Sequence, residues 1–135
     1  MDYIYGRVSK TNLATCKDRL QLLFNAVGKR YNCSILEGHR GKDRQNLLFD
    51  QGKSKVRFPE GKHNEDPSLA LDAAPYPISW SNNRKNIARF YHFAGYVKAV
   101  ADIMEIKIRW GGDWDSDRDF SDQNFDDLVH FELIE

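Results

Sequence analysis

The chain has 135 residues, 41% hydrophobic and 13% aromatic, which suits one compact domain spanning residues 1–135 and excludes a disordered chain. Lys and Arg number 20, as do Asp and Glu, so the basic excess of a duplex nucleic-acid binder is absent and no nucleic-acid partner is expected. No run of about 18 apolar residues is present, which argues against membrane insertion, and MDYIYGRVSK lacks the apolar core of a signal peptide, so synthesis in the cytoplasm is expected.

Residues 2–8 read as a short strand or extended arm. Ser9 or Thr11 is placed to cap a helix whose apolar stripe is Leu13, Cys16, Leu20, Leu23, Phe24 and Val27. Gly28 is expected to end it, with Lys29 and Arg30 at its negative terminus. Tyr31 to Glu37 reads as a strand, and residues 42–51 as a short helix ending near Gly52. Cys16 and Cys33 do not form a disulfide framework and read as buried free thiols. Arg40 falls in the strand-to-helix turn, a common place for functional groups, although position alone favours a solvated surface arginine.

Residues 52–68 form a polar connection long enough to suggest a task of its own. Leu69 to Ala74 then reads as a strand ended by Pro75 and Pro77. Ser81 or Asn82 is expected to cap a long helix from Arg84 to Glu105, buried along Ile87, Phe90, Tyr91, Ala94, Val97, Ala101 and Met104. His92 lies beside that stripe and reads as structural. Ile106 to Trp110 alternates as a strand, an acidic loop follows, and Val129 to Ile134 closes the chain as a strand. The last two strands lack a crossover helix and are expected to pair antiparallel. The order implies an α+β fold, a small largely antiparallel sheet with flanking helices. Residues 1–62 are rich in Lys and Arg and residues 113–135 in acid, implying one positive and one negative face.

The chemistry concentrates in GKHNEDPSLALDAAPYP. His63 lies in a polar turn and Asp72 in an apolar run, where an ionised carboxylate needs a partner. A metal shared with His63 would supply one, and His130 in DDLVHFELI would be the third ligand. Zinc accepts imidazole nitrogen and carboxylate oxygen, and three protein ligands leave a fourth position for water. Asp127, three residues before His130, is then the candidate general base, and Arg40 the candidate for stabilising an oxyanion. An ion-paired Asp72 with two surface histidines is the alternative that spacing leaves open. Asp113, Asp115, Asp117 and Asp119 alternate as at the start of a calcium loop. An EF-hand starting at Asp113 would need Gly at 118 and Glu at 124, where the chain has Arg118 and Asn124. A solvated acidic loop and a regulatory Ca2+ site are the two readings of that stretch.

The segments EGHRGKDRQNLLFDQGKSK, GKHNEDPSLALDAAPYP, RWGGDWD and DLVHFEL, in this order, resemble the phage L-alanyl-D-glutamate endopeptidases. That family belongs with the zinc D-Ala-D-Ala carboxypeptidases and dipeptidases, whose fold is shared with the Hedgehog signalling domain. The resemblance covers residues 30–135. It implies zinc on His63, Asp72 and His130, a base at Asp127 and a functional arginine at Arg40. It also implies an endolysin that cuts the peptidoglycan stem peptide after the host membrane is permeabilised, and a monomer is expected. Gly61 stands where the family often has Ser, and His39 where it often has Tyr. The His63-to-Asp72 interval matches the endopeptidase branch. A D,D-carboxypeptidase on the same zinc site, or a non-catalytic wall- or zinc-binding module, are the alternatives.

Overall fold

A computed structural model of the chain describes residues 2–118 and 127–134. Helix α1 (Arg7–Ala14) is followed by α2 (Asp18–Arg30), strand β1 (Cys33–Glu37) and α3 (Lys42–Asp50). A 3-10 turn (Lys62–Asn64) leads to β2 (Ala70–Pro75), the long helix α4 (Arg84–Ile103), β3 (Ile108–Gly111) and β4 (Asp127–Leu133). The sheet order is β1-β2-β4-β3 and every neighbouring pair is antiparallel. The fold is α+β, with the expected pairing of the last two strands. No helix among the described residues is long and apolar enough to cross a membrane.

The first helix of the sequence reading is two. Between α1 and α2 the chain leaves helical geometry at Thr15–Lys17, because these residues bond across to Ser68. The Lys17 amide donates to the Ser68 carbonyl at 2.9 Å, and the Ser68 amide to the Thr15 carbonyl at 2.8 Å. A pairing with a residue fifty positions away is invisible to helical periodicity. Gly28 also differs from expectation: it lies inside α2, and a Cβ there would collide with the Tyr5 ring. The glycine lets Tyr5 pack close and donate its hydroxyl to the Phe24 carbonyl at 2.6 Å. Neither Ser81 nor Asn82 caps α4. Asn83 does, its side chain accepting from the Asn86 amide at 2.9 Å.

Strand alternation divides the sheet into two faces. Ile35, Leu71, Ala73, Ile108, Trp110, Phe131 and Leu133 point into the core. There they meet Leu20, Leu23, Phe24 and Val27 of α2 and Phe93, Ala94, Val97 and Ala101 of α4. Phe131 is the centre of this layer, with edge-on contacts to Phe24 at 5.5 Å and Phe93 at 5.9 Å. Cys16 and Cys33 are buried free thiols, and burial pushes each up to about 11. His92 is an exposed partner of the Tyr31 hydroxyl at 2.7 Å. The residues of opposite parity, Asp72, His130, Glu132 and Arg109, share the other face, where Asp72 pairs across β2–β4 with His130, and Arg109 across β3–β4 with Glu132.

One irregularity enlarges that polar set. Ile35 pairs with Ala73 on the core face, yet Glu37 pairs with Asp72, so the register shifts between them. A bulge of this kind re-aims the next side chain. Strict alternation would send Glu37 toward the core with Ile35, and the bulge turns it to Asp72 instead.

Candidate metal centre

His63 reaches the sheet from the 3-10 turn. The turn is held by buried amides that the sequence reading passed over. The Asn64 side chain accepts from the Gly61 amide at 2.8 Å and donates to the Arg40 carbonyl at 3.0 Å. The Arg40 amide donates to the His63 carbonyl at 2.7 Å. Gln45, 1% exposed, receives Arg40 and Asn64 on its oxygen and donates from its nitrogen to Ser54 Oγ and the Val56 carbonyl. The long polar connection is therefore lashed to α3, and His63 is presented from a fixed frame.

Three atoms converge. His63 Nε2 lies 3.2 Å from Asp72 Oδ1 and 3.2 Å from His130 Nδ1, and His130 Nδ1 lies 3.7 Å from Asp72 Oδ1. All three side chains are at least 85% buried. The outward nitrogens are occupied. His63 Nδ1 lies 2.8 Å from the Gly38 carbonyl, and His130 Nε2 lies 2.8 Å from Glu132 Oε1. Both partners are acceptors, so those nitrogens carry the protons, and each inward nitrogen is left with a lone pair. Asp72 Oδ2 faces Arg40 Nη2 at 3.5 Å, while Oδ1 is buried and accepts no hydrogen bond. Two lone pairs and a carboxylate oxygen thus face one another across hydrogen-bond distances with no donor between them. A proton or a cation between them removes the repulsion.

The donor set fits a metal. A triangle with sides of 3.2–3.7 Å has a point about 2 Å from each corner, which is the bond length of zinc to nitrogen and oxygen. The outer partners follow the usual arrangement, a carbonyl or carboxylate fixing each ligating imidazole. Without a metal, protonation of His130 Nδ1 would supply the missing donor to Asp72 Oδ1 and His63 Nε2. Burial lowers His130, but Asp72 and Glu132 outweigh it and bring the group up to about 9. Burial likewise opposes ionisation of Asp72, yet His130 and His63 hold its carboxyl far below the usual carboxylate range. Glu132 is lowered too, against its burial, by His130, Arg109 and Lys62.

Asp127 and Arg40 border the same cavity, about 490 Å³ in volume. Burial raises Asp127 and Asp72 raises it further, while His130, His63 and Arg40 pull the other way. Gly111 is packed against the start of β4 so closely that a Cβ would strike the Asp127 carbonyl. Arg40 is buried: Nη2 lies 2.9 Å from Glu37 Oε1, Nη1 donates to Gln45 at 3.1 Å, and Nε has no partner. The bulge in β1 supplies Glu37, which the sequence reading missed together with Gln45, Asn64 and Glu132. The indole of Trp114 lies 5.3 Å from the His130 ring. His39 turns elsewhere, Nδ1 meeting the Glu65 carbonyl at 2.9 Å.

In the acidic loop, Asp113, Asp115 and Asp117 bring carboxylate oxygens within 4.8 Å of one another. Asp113 Oδ2 accepts from the Arg118 amide at 2.8 Å and Asp115 Oδ1 from the Asp117 amide at 3.3 Å, as in a self-capped turn. Asp119 lies outside the described residues, and no Ca2+ is supported here.

Comparison with known proteins gives the family and the fold. The family described as phage L-alanyl-D-glutamate peptidase matches residues 1–134. The L-alanyl-D-glutamate peptidase of Escherichia phage T5 is 26% identical over 128 residues, covering 91% of this chain and 90% of that protein. The crystal structure of the Serratia marcescens L-Ala D-Glu endopeptidase ChiX has the same fold, with a TM-score of 0.73 over 96% of this chain and 89% of that one, at 22% identity. The chain is a peptidase, a member of the phage L-alanyl-D-glutamate peptidase family.

Proposed function

We propose that this one-domain peptidase holds zinc on His63 Nε2, His130 Nδ1 and Asp72 Oδ1 and hydrolyses the L-alanyl-D-glutamate bond of peptidoglycan stem peptides, as the endolysin of a phage. The convergence of three buried acceptor atoms, one of them the unpartnered Asp72 Oδ1, carries the reading. Zinc, when bound, supplies Lewis acidity that polarises a carbonyl and acidifies water. The residues do the rest. A carboxylate oxygen of Asp127, which borders the same cavity as the three ligands, takes the proton of the attacking water and delivers it to the leaving amine. Arg40 sets Asp72 through Oδ2 and brings positive charge to the developing oxyanion, with Nε still free to donate. His63 and His130 are prevented from rotating by Gly38 and Glu132.

The role fits a chain that works on the cell wall after the membrane is permeabilised. Digested peptidoglycan examined by mass spectrometry tests the bond: new N-terminal D-Glu is expected, whereas released D-Ala would assign a D,D-carboxypeptidase. Asp127→Ala should retain stoichiometric zinc and lose about 100- to 10,000-fold in turnover. Unchanged turnover would remove Asp127 from the chemistry.

A further inference from the structure

A second cavity adjoins the metal centre. It has a volume of about 260 Å³, and Asp127 is the one described residue that borders both cavities. Its walls are Trp80, Asn82, Ile87, Phe90 and Leu128, and no other described lining residue carries a charge. Trp80 is 68% exposed and stacks on Phe90 with centroids 6.0 Å apart and planes 28° from parallel. Its loop is fixed from below. Asn86, 7% exposed, donates to the Ser79 and Ser81 carbonyls, both at 2.8 Å. Arg89 donates to the Pro77 carbonyl at 2.6 Å and to the Asn86 side chain at 2.9 Å. A rigid loop that holds a broad apolar ring in water, beside a catalytic centre, has the form of a recognition surface.

The substrate has two unlike sides. In a stem peptide the L-Ala nitrogen is acylated by the lactyl group of muramic acid, so a neutral sugar ring lies one amino acid from the scissile carbonyl. D-Glu continues the stem through its side-chain carboxyl and presents its α-carboxyl beside the scissile nitrogen. The metal-centre cavity is lined by the cationic side chains Arg44, Lys53, Lys55 and Lys62 together with Glu37, Glu60 and Glu132, so it offers positive charge to an anionic stem where the cavity beyond Asp127 offers none. The uncharged cavity beyond Asp127 is left for the sugar.

Resting on the function proposed above, we infer that the Trp80 shelf is the glycan-side subsite, the indole lying against the apolar face of the N-acetylmuramyl ring. The substrate then crosses Asp127 with its sugar on Trp80 and its acidic stem along Arg44 and the lysines.

The test uses the zinc-loaded protein and two substrates, a muramyl-linked stem peptide and the same peptide N-acetylated on L-Ala without sugar. Trp80→Ala should lower kcat/KM on the sugar-linked peptide about tenfold, leave the sugar-free peptide within about twofold, and leave zinc content unchanged. Trp80→Phe should recover part of the loss. An equal loss on both substrates, or no loss on either, overturns the inference. A second measurement does not depend on turnover. Muramyl disaccharide lacking peptide, titrated into 15N-labelled protein, should move the Trp80 indole N–H resonance. Normal cleavage of stem peptide with no movement of that resonance overturns the subsite and leaves the proposed activity standing. Movement of the resonance in a protein that cleaves no stem peptide does the reverse.

Discussion

Glu132 and the Gly38 carbonyl determine which nitrogen of each histidine faces inward, and so whether the centre offers lone pairs or protons. Glu132→Gln keeps the shape but lets the side-chain amide turn a donor toward His130, so the imidazole is no longer held as a ligand. Metal affinity should fall about 10- to 100-fold, as measured by competition with a chelator. Unchanged affinity would show that the contact is incidental. The proton on His130 sets a second expectation. Its metal-free pKa is raised from 6.5 to about 9, so protonation stabilises the metal-free fold fully below pH 6.5 and ceases to do so as pH rises through about 9. Metal must displace that proton. Zinc affinity should therefore climb about tenfold per pH unit between those limits, with about one proton released per ion bound. Calorimetry in buffers of different ionisation enthalpy would record the release, and a pH-independent affinity would contradict it. His63, Asp72 and His130 could be named from residue type together with resemblance; the contact of their atoms could not. Glu132 was within reach, because a strand through DLVHFEL puts it on the face of His130.

At the scale of elements, Ile106 to Trp110 was legible from alternation, the other strands as short runs bounded by turn residues, and the long helix from its apolar stripe. Two of the departures originate in pairing with remote backbone. Ser68 splits the first helix, and the β1 register shift brings Glu37 round to Asp72, neither of which leaves a periodic trace. The 52–68 connection was read correctly as long and polar, but nothing local showed that Gln45 and Asn64 pin it. Gln45 is the joint between that connection and α3. Gln45→Ala leaves Arg40, Asn64, Ser54 and Val56 each short of a partner, at a cost of about 1–3 kcal/mol. Hydrogen exchange should accelerate over residues 54–64 while β2 and β4 amides keep their protection. Equal exchange in the two proteins would mean that the turn presenting His63 does not depend on that side chain.

Over the whole molecule, one face of a four-stranded sheet packs on two helices and the other carries polar residues from segments far apart in the chain. The turn at His63, the middle of β2 and the middle of β4 meet only there. Basic side chains from α3 and the following loop line the centre's own cavity and the uncharged Trp80 shelf adjoins it past Asp127, so the two cavities suit unlike ends of a substrate. All of this presumes a single ion at the meeting point. Anomalous diffraction at the zinc edge from crystals of the zinc-loaded protein locates it without reference to activity. One peak about 2.0–2.2 Å from His63 Nε2, His130 Nδ1 and an Asp72 oxygen is the expected result. A protein that binds no stoichiometric zinc, or a peak away from those three atoms, would contradict it.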